Sequence, residues 1–144
     1  MVQPETHTLA YLLRNLSVEV DAQLNEALSP FGLSAAQWRV LSAVDSGKAS
    51  SPAEISNLQD IDSGSTSRMV RRLELAGLLE REEHPADRRA VRLRISKKAA
   101  AVLPKASSVA EAFYRKVVSD MAPYEIEHLR ALLQRLLNNV RAGA

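Results

Sequence analysis

The chain has 144 residues, of which 46% are hydrophobic and 25% charged, and it contains no cysteine. This is the length of one domain and the composition of a soluble globular one, with too much apolar material for a disordered chain and no run near the ~20 apolar residues that span a bilayer. The missing cysteines exclude disulfides, thiolate nucleophiles, cysteine-based metal sites and thiol redox sensing. The start, MVQPETHTLAYLLRN, has no basic stretch leading into a long apolar one, so no secretory signal and a cytoplasmic location are expected. The net charge of +2 is uneven. Residues 68–98 hold ten Lys or Arg against five acids, a local +5 that leaves −3 on the rest. A basic centre between acidic ends fits either a polyanion-binding module or a solvated face.

The hydrophobic period is helical over most of the chain. Leu9, Leu12, Leu13, Leu16, Val20, Leu24 and Leu28 fall in steps of three and four, which predicts one long helix over residues 5–28. Pro30 and Gly32 end it. Ser34-Ala35-Ala36-Gln37 reads as a capping box, with Leu33 and Trp38 placed as a hydrophobic staple, and opens a helix through Val40, Leu41 and Val44. Ser51-Pro52-Ala53-Glu54 reads as a second capping box, with Pro at the first helical position, opening a short helix to Leu58 or Gln59. A third helix is expected from Asp62 or Ser63 to Ala76, stopped by Gly77. Three short helices with a tight turn between the last two make a helix-turn-helix pattern.

After Gly77 the period drops to two. Leu78–Glu82 reads as a strand, His84–Asp87 as a turn, and Arg89, Val91, Leu93 and Ile95 alternate with Ala90, Arg92 and Arg94 as a half-buried second strand. Ser96 then caps a helix over about 97–118, with a bend expected near Pro104. A last helix runs from about Pro123 to Arg141. Ile126, Leu129, Leu132, Leu133, Leu136, Leu137 and Val140 give it a wide apolar stripe that matches the one on the first helix. One chain cannot easily cover both stripes and a central core, so a homodimer with interleaved ends is expected, against a monomer with an intrachain helical pair. The fold expected is mainly α with a small β-hairpin wing. It is a winged helix-turn-helix (33–100) flanked by dimerisation helices at the N-terminus (1–32) and C-terminus (101–144).

On the third helix, Thr66, Met69, Val70 and Leu73 share the side that should face the core. Gly64, Arg68, Arg71 and Leu75 centre the opposite side, flanked by Ser65, Ser67 and Arg72. Arginine pairs bidentately with guanine and hydroxyls serve bases or phosphates, so this face suits a major groove of double-stranded DNA. Ser63 belongs to the same N-terminal turn, and Gly64 would let the backbone come close to DNA. Arg88 and Arg89 at the hairpin tip, beside Arg92 and Arg94, suit a narrow minor groove, and Asp87 would orient them. A solvated, salt-bridged surface is the plainer reading of both features.

These residues resemble a known family. LSPFGLSAAQWRVLSAV is similar to the segment "y-G-L-t-x-x-q-w-x-v-L" of the MarR (multiple antibiotic resistance regulator) family. Ser67–Leu73 with Glu74, Gly77 and Leu78 resembles its recognition helix. His84-Pro85-Ala86-Asp87-Arg88-Arg89 through Ser96 resembles its wing signature D-x-R-D-R-R-x-x-x-L-x-L-T. His84 and Ala86 depart from that signature. The resemblance implies a dimeric winged helix-turn-helix transcription factor, often a repressor released by a small aromatic or anionic ligand. It further implies that Arg89 reaches the minor groove braced by Asp87, and that Ser65, Ser67, Arg68 and Arg71 face DNA. Members usually bind effectors near the dimer helices, where Tyr11, Arg14 and Trp38, with His7 and Phe31, would line a pocket for an aromatic carboxylate; ordinary packing is the competing account of these side chains.

An enzyme is not expected. His7, His84 and His128 are scattered, and neither a glycine-rich phosphate loop nor a nucleophile turn appears. No cofactor and no metal site are expected; His84 beside Glu82, Glu83 and Asp87 reads as solvated wing charge. The rival function is a winged-helix dimer that binds another protein and has lost DNA binding.

Overall fold

The computed structural model describes residues 4–84 and 86–143, without the side chains of Pro4, Thr6, Glu83, His84 and residues 87–90. The order is α1 (Pro4–Leu28), a 3-10 turn (Ser29–Phe31), α2 (Ala35–Asp45), α3 (Pro52–Gln59), α4 (Ser63–Leu75), β1 (Leu79–His84), β2 (Asp87–Ile95), α5 (Lys97–Val117) and α6 (Pro123–Ala142). The chain divides into two compact units, residues 1–110 and 111–144.

In the first unit each helix starts and stops where local chemistry requires. Gly32 takes φ 69° after the 3-10 turn, and Gly77 takes φ 74° after α4, a left-handed geometry that an L side chain resists. The capping box of α2 is complete: Ser34 Oγ accepts from the Gln37 N–H at 3.1 Å, and Gln37 Oε1 accepts from the Ser34 N–H at 3.0 Å. The α3 cap differs from the sequence expectation. Ser51 Oγ accepts from the Glu54 N–H, but the Glu54 carboxylate reaches one residue further, to the N–H (2.6 Å) and hydroxyl of Ser50. These bonds, the backbone one first, hold the Glu54 carboxyl below its ordinary range. Helix α5 is one element that carries Pro104 inside it.

The core lies within this unit. Leu24 and Leu28 of α1, Val40 and Leu41 of α2, Ile55 of α3, Val70 and Leu73 of α4, and Leu103 and Ala106 of α5 are almost fully buried. The Asp21–Arg39 pair (2.5 Å) and Asn25, which accepts from the Ala35 N–H, tie α1 to α2. The hairpin is antiparallel, with Leu79 opposite Ile95 and Arg81 opposite Leu93. Its base is clamped. Ser96 donates its hydroxyl to the Gly77 carbonyl (2.6 Å), accepts from the Ala99 N–H and gives its own N–H to the Leu78 carbonyl. The Leu93 N–H binds the Ser50 carbonyl (2.7 Å), so the loop before α3 extends the pairing of β2.

In the second unit α6 starts at Pro123, with Glu125 accepting from the Ala122 N–H at 3.0 Å. None of its described residues is buried; Leu129, Leu132, Leu133, Leu136, Leu137 and Val140 are all exposed. No described helix is long and apolar enough to cross a membrane.

Candidate nucleic-acid interface

The turn between α3 and α4 is built by short polar contacts. Asp60 ends α3 with φ 54°, an uncommon conformation for a side chain other than glycine, which asparagine and aspartate tolerate best. The Ser56 hydroxyl donates to the Ile61 carbonyl at 2.5 Å, and the Ile61 N–H returns to the Ser56 carbonyl. Thr66 is 1% exposed, with its hydroxyl 3.0 Å from the Asp62 carbonyl and 3.3 Å from Ser56 Oγ. A buried polar group at this seat is therefore hydrogen-bonded and locks α4 onto α3.

With Thr66, Val70 and Leu73 inward and Met69 half-buried, the helical period turns Ser63, Ser67, Arg68, Arg71, Arg72 and Leu75 outward. Gly64 and Ser65 are half-buried on the first turn. Asp62 caps the helix: Oδ1 accepts from the Ser65 N–H at 2.8 Å and Oδ2 from the Ser65 hydroxyl at 2.7 Å. Arg68 Nη2 donates to Ser65 Oγ at 3.2 Å. The Ser65 hydroxyl, then its N–H, and less strongly the Arg68 charge, hold the Asp62 carboxyl below its ordinary range. Sequence reasoning used Asp62 only as a helix start and missed its link to Arg68. Among the described residues no acid forms an ion pair with Arg71 or Arg72.

The wing is partly neutralised. Arg94 pairs with Glu80 (2.9 Å) and with Glu82, and Arg81 pairs with Glu74 of α4 (2.7 Å). Arg94 is thus a strut of the hairpin base rather than a free charge. The side chains of Asp87, Arg88 and Arg89 lie outside the described residues, as do Pro85 and the side chain of His84. Helix α4 and the hairpin that follows it are thus fastened to one core through Ser96, Leu93 and Glu74.

Of the side chains expected around an effector, Tyr11 is 65% exposed and Arg14 is also exposed, while Phe31 and Trp38 are half-buried. Trp38 Nε1 donates to Ser107 Oγ at 3.0 Å. Trp38 lines a cavity of about 380 Å³ with Arg39, Ser42, Ala43, Ser46, Lys48, Leu58 and Gln59; Tyr11 and Arg14 do not line it. The Ser42 hydroxyl oxygen is buried and has no hydrogen-bond partner among the described residues. Among those residues no three His, Asp or Glu side chains are grouped as a metal site.

A helix-turn-helix with an arginine-bearing second helix and a β-hairpin behind it defines a winged helix-turn-helix regulator. The MarR family model matches residues 31–90. The chain is 28% identical over 130 residues to the multiple antibiotic resistance protein MarR of Escherichia coli K12, covering 90% of each chain. It is 30% identical over 134 residues to the HTH-type transcriptional regulator PecS of Dickeya dadantii, covering 88% of this chain and 81% of PecS. A crystal structure of a mutant E. coli MarR complexed with operator DNA superposes with a TM-score of 0.83 at 28% identity, covering 92% of this chain and 96% of that one. The chain belongs to the MarR family. It is a winged-helix transcriptional regulator, not an enzyme.

Proposed function

We propose that the chain acts as a homodimer that reads a pseudo-palindromic operator and represses transcription from it. The observation that carries this reading is the split of α4: its apolar side is sealed in the core, while Arg68, Arg71 and Arg72, with Ser63 and Ser67, stay exposed. Segment 33–100 supplies the DNA contacts and segments 1–32 and 101–144 the dimer contacts. Arg68 and Arg71 read base edges, Ser63, Ser67 and Arg72 position the helix on phosphates, and the Gly64 turn approaches the backbone. Arg88 and Arg89 enter the minor groove with Asp87 bracing them. The operator complex of the 28%-identical E. coli relative supports this reading.

The same reading includes release by a small aromatic or anionic ligand, seated beside Trp38 with Arg39, Lys48 and the Ser42 hydroxyl as polar partners. Trp38 lines that cavity, and Tyr11 and Arg14, exposed on α1, remain the expected effector residues on the side of the dimer helices.

Titration of a fluorescent duplex at rising salt tests the DNA reading. The log of the affinity should fall with log salt by roughly 0.9 per phosphate neutralised, several units in all. A flat salt dependence would favour a protein-interaction module instead.

A further inference from the structure

We infer that Ser65 and Gly64 are positioning residues for Arg68, presetting the direction from which its guanidinium approaches a base. This deepens the proposed DNA reading and rests on it.

A hydroxyl has one proton to give and lone pairs to accept with. Ser65 gives its proton to Asp62 Oδ2 at 2.7 Å and accepts from Arg68 Nη2 at 3.2 Å, so both contacts coexist. Asp62 is fixed in turn by the Ser65 N–H at 2.8 Å. The three side chains form a relay from the helix cap to the guanidinium. Ser65, with its proton spent, cannot donate to the guanine acceptors O6 and N7. Arg68 has five N–H donors and gives one to Ser65; the rest suffice for a bidentate guanine pair.

Gly64 has a different part in the same arrangement. It lies inside α4, its φ is not positive, and glycine there costs helix stability relative to alanine. The backbone does not demand glycine, but a side chain there would press on the Asp62–Arg68 arrangement. A Cβ at residue 64 would stand 3.2 Å from Asp62 Oδ1 and 3.4 Å from Arg68 Nη1. Arg68 therefore lies back over the first turn of α4, towards the end that enters the groove in helix-turn-helix docking. An exposed arginine ordinarily loses much rotamer freedom on binding, and a preset one loses less.

The test uses the duplex that the wild-type protein enriches from a random pool, and three relatives of it with the Arg68-dependent guanine replaced by each other base. The readout is the ratio of affinities, guanine over the rest, alongside melting temperature. Arg68→Ala should abolish a ratio of roughly 5- to 150-fold. Ser65→Ala should cut the ratio at least threefold and Ser65→Thr, which keeps the hydroxyl, should preserve it. Gly64→Ala should also lower the ratio while the melting temperature holds or rises, because alanine favours the helix. In the Arg68→Ala background neither change should lower the ratio further. A ratio intact in Ser65→Ala and Gly64→Ala but lost in Arg68→Ala overturns the positioning role alone. Equal losses on all four bases overturn it too. A ratio intact in Arg68→Ala overturns both this inference and the base-reading role beneath it.

Discussion

Helix α4 buries Thr66, Val70 and Leu73 and turns three arginines outward, whereas α6 carries six leucine or valine side chains that stay 37–71% exposed. Both helices are amphipathic by the same period. The first finds its apolar partner within its own unit, and the second does not within its own. A contiguous apolar face of that length marks an interaction site, since burying each such side chain is worth about 1.5–3 kcal/mol. The apolar face of α4 is covered within its own unit; the apolar face of α6 is the surface that the proposed homodimer would cover with a second copy. The exposed Leu9, Leu12 and Leu16 of α1 repeat the contrast along one helix, whose C-terminal Leu24 and Leu28 are fully buried.

The largest expected effect comes from making α6 resemble α4 on its outer side. Leu133→Glu with Leu136→Glu should give monomers in sedimentation at micromolar concentration. Operator affinity should drop on the order of 100-fold or more, because the two half-sites are then bound without a shared linkage. An unchanged dimer would place the interface elsewhere. Leu73→Ala tests the sealed side of α4: it should cost about 2–5 kcal/mol of folding stability in denaturant titration. The matching truncation Leu133→Ala, assayed as dilute monomer, should cost under about 1 kcal/mol because Leu133 is not buried within one chain, staying 38% exposed. Arg68→Ala or Arg71→Ala should lose about 1–3 kcal/mol at one base position per half-site, and Arg89→Ala should weaken all sequences alike.

The smallest effect is on pH dependence. Glu54 and Asp62 have carboxyls held below their ordinary values of 4.5 and 3.8 by cap hydrogen bonds. A group whose folded value is lowered contributes stability in full above its unfolded value, and that contribution vanishes as pH falls through the folded one. Wild type should therefore lose a little melting temperature below about pH 4.5 that the Glu54→Gln/Asp62→Asn variant does not lose. Parallel acid profiles would show that these caps do not titrate with folding.

The expected elements match the observed ones closely where punctuation is local. Ser34 with Gln37, Pro52, Asp62, Gly77 and Ser96 set helix limits by chemistry within four residues, and spacing displays it. The burial of Val70 and Leu73 follows from period alone. Contacts that depend on side-chain direction or strand register were not legible. Glu54 and its cap look alike in sequence whether the carboxylate reaches Ser51 or Ser50. Arg94 reads as one more wing charge until the register sets Glu80 opposite it. Asp62, Ser65 and Arg68 have the three-residue spacing of countless helix starts, and only the geometry shows one hydroxyl serving both ions. Tyr11 and Arg14 share a helix with core residues, but lie on turns that the first unit leaves exposed.

The central claim is that two copies present α4 to one duplex. Selection of bound sequences from a random DNA pool, at near-physiological salt, tests it most directly. The account predicts an inverted repeat with half-site centres about ten base pairs apart, lost when Arg68 and Arg71 are both changed to alanine. Enrichment of a single unrepeated motif, or no enrichment over that double variant, would contradict it.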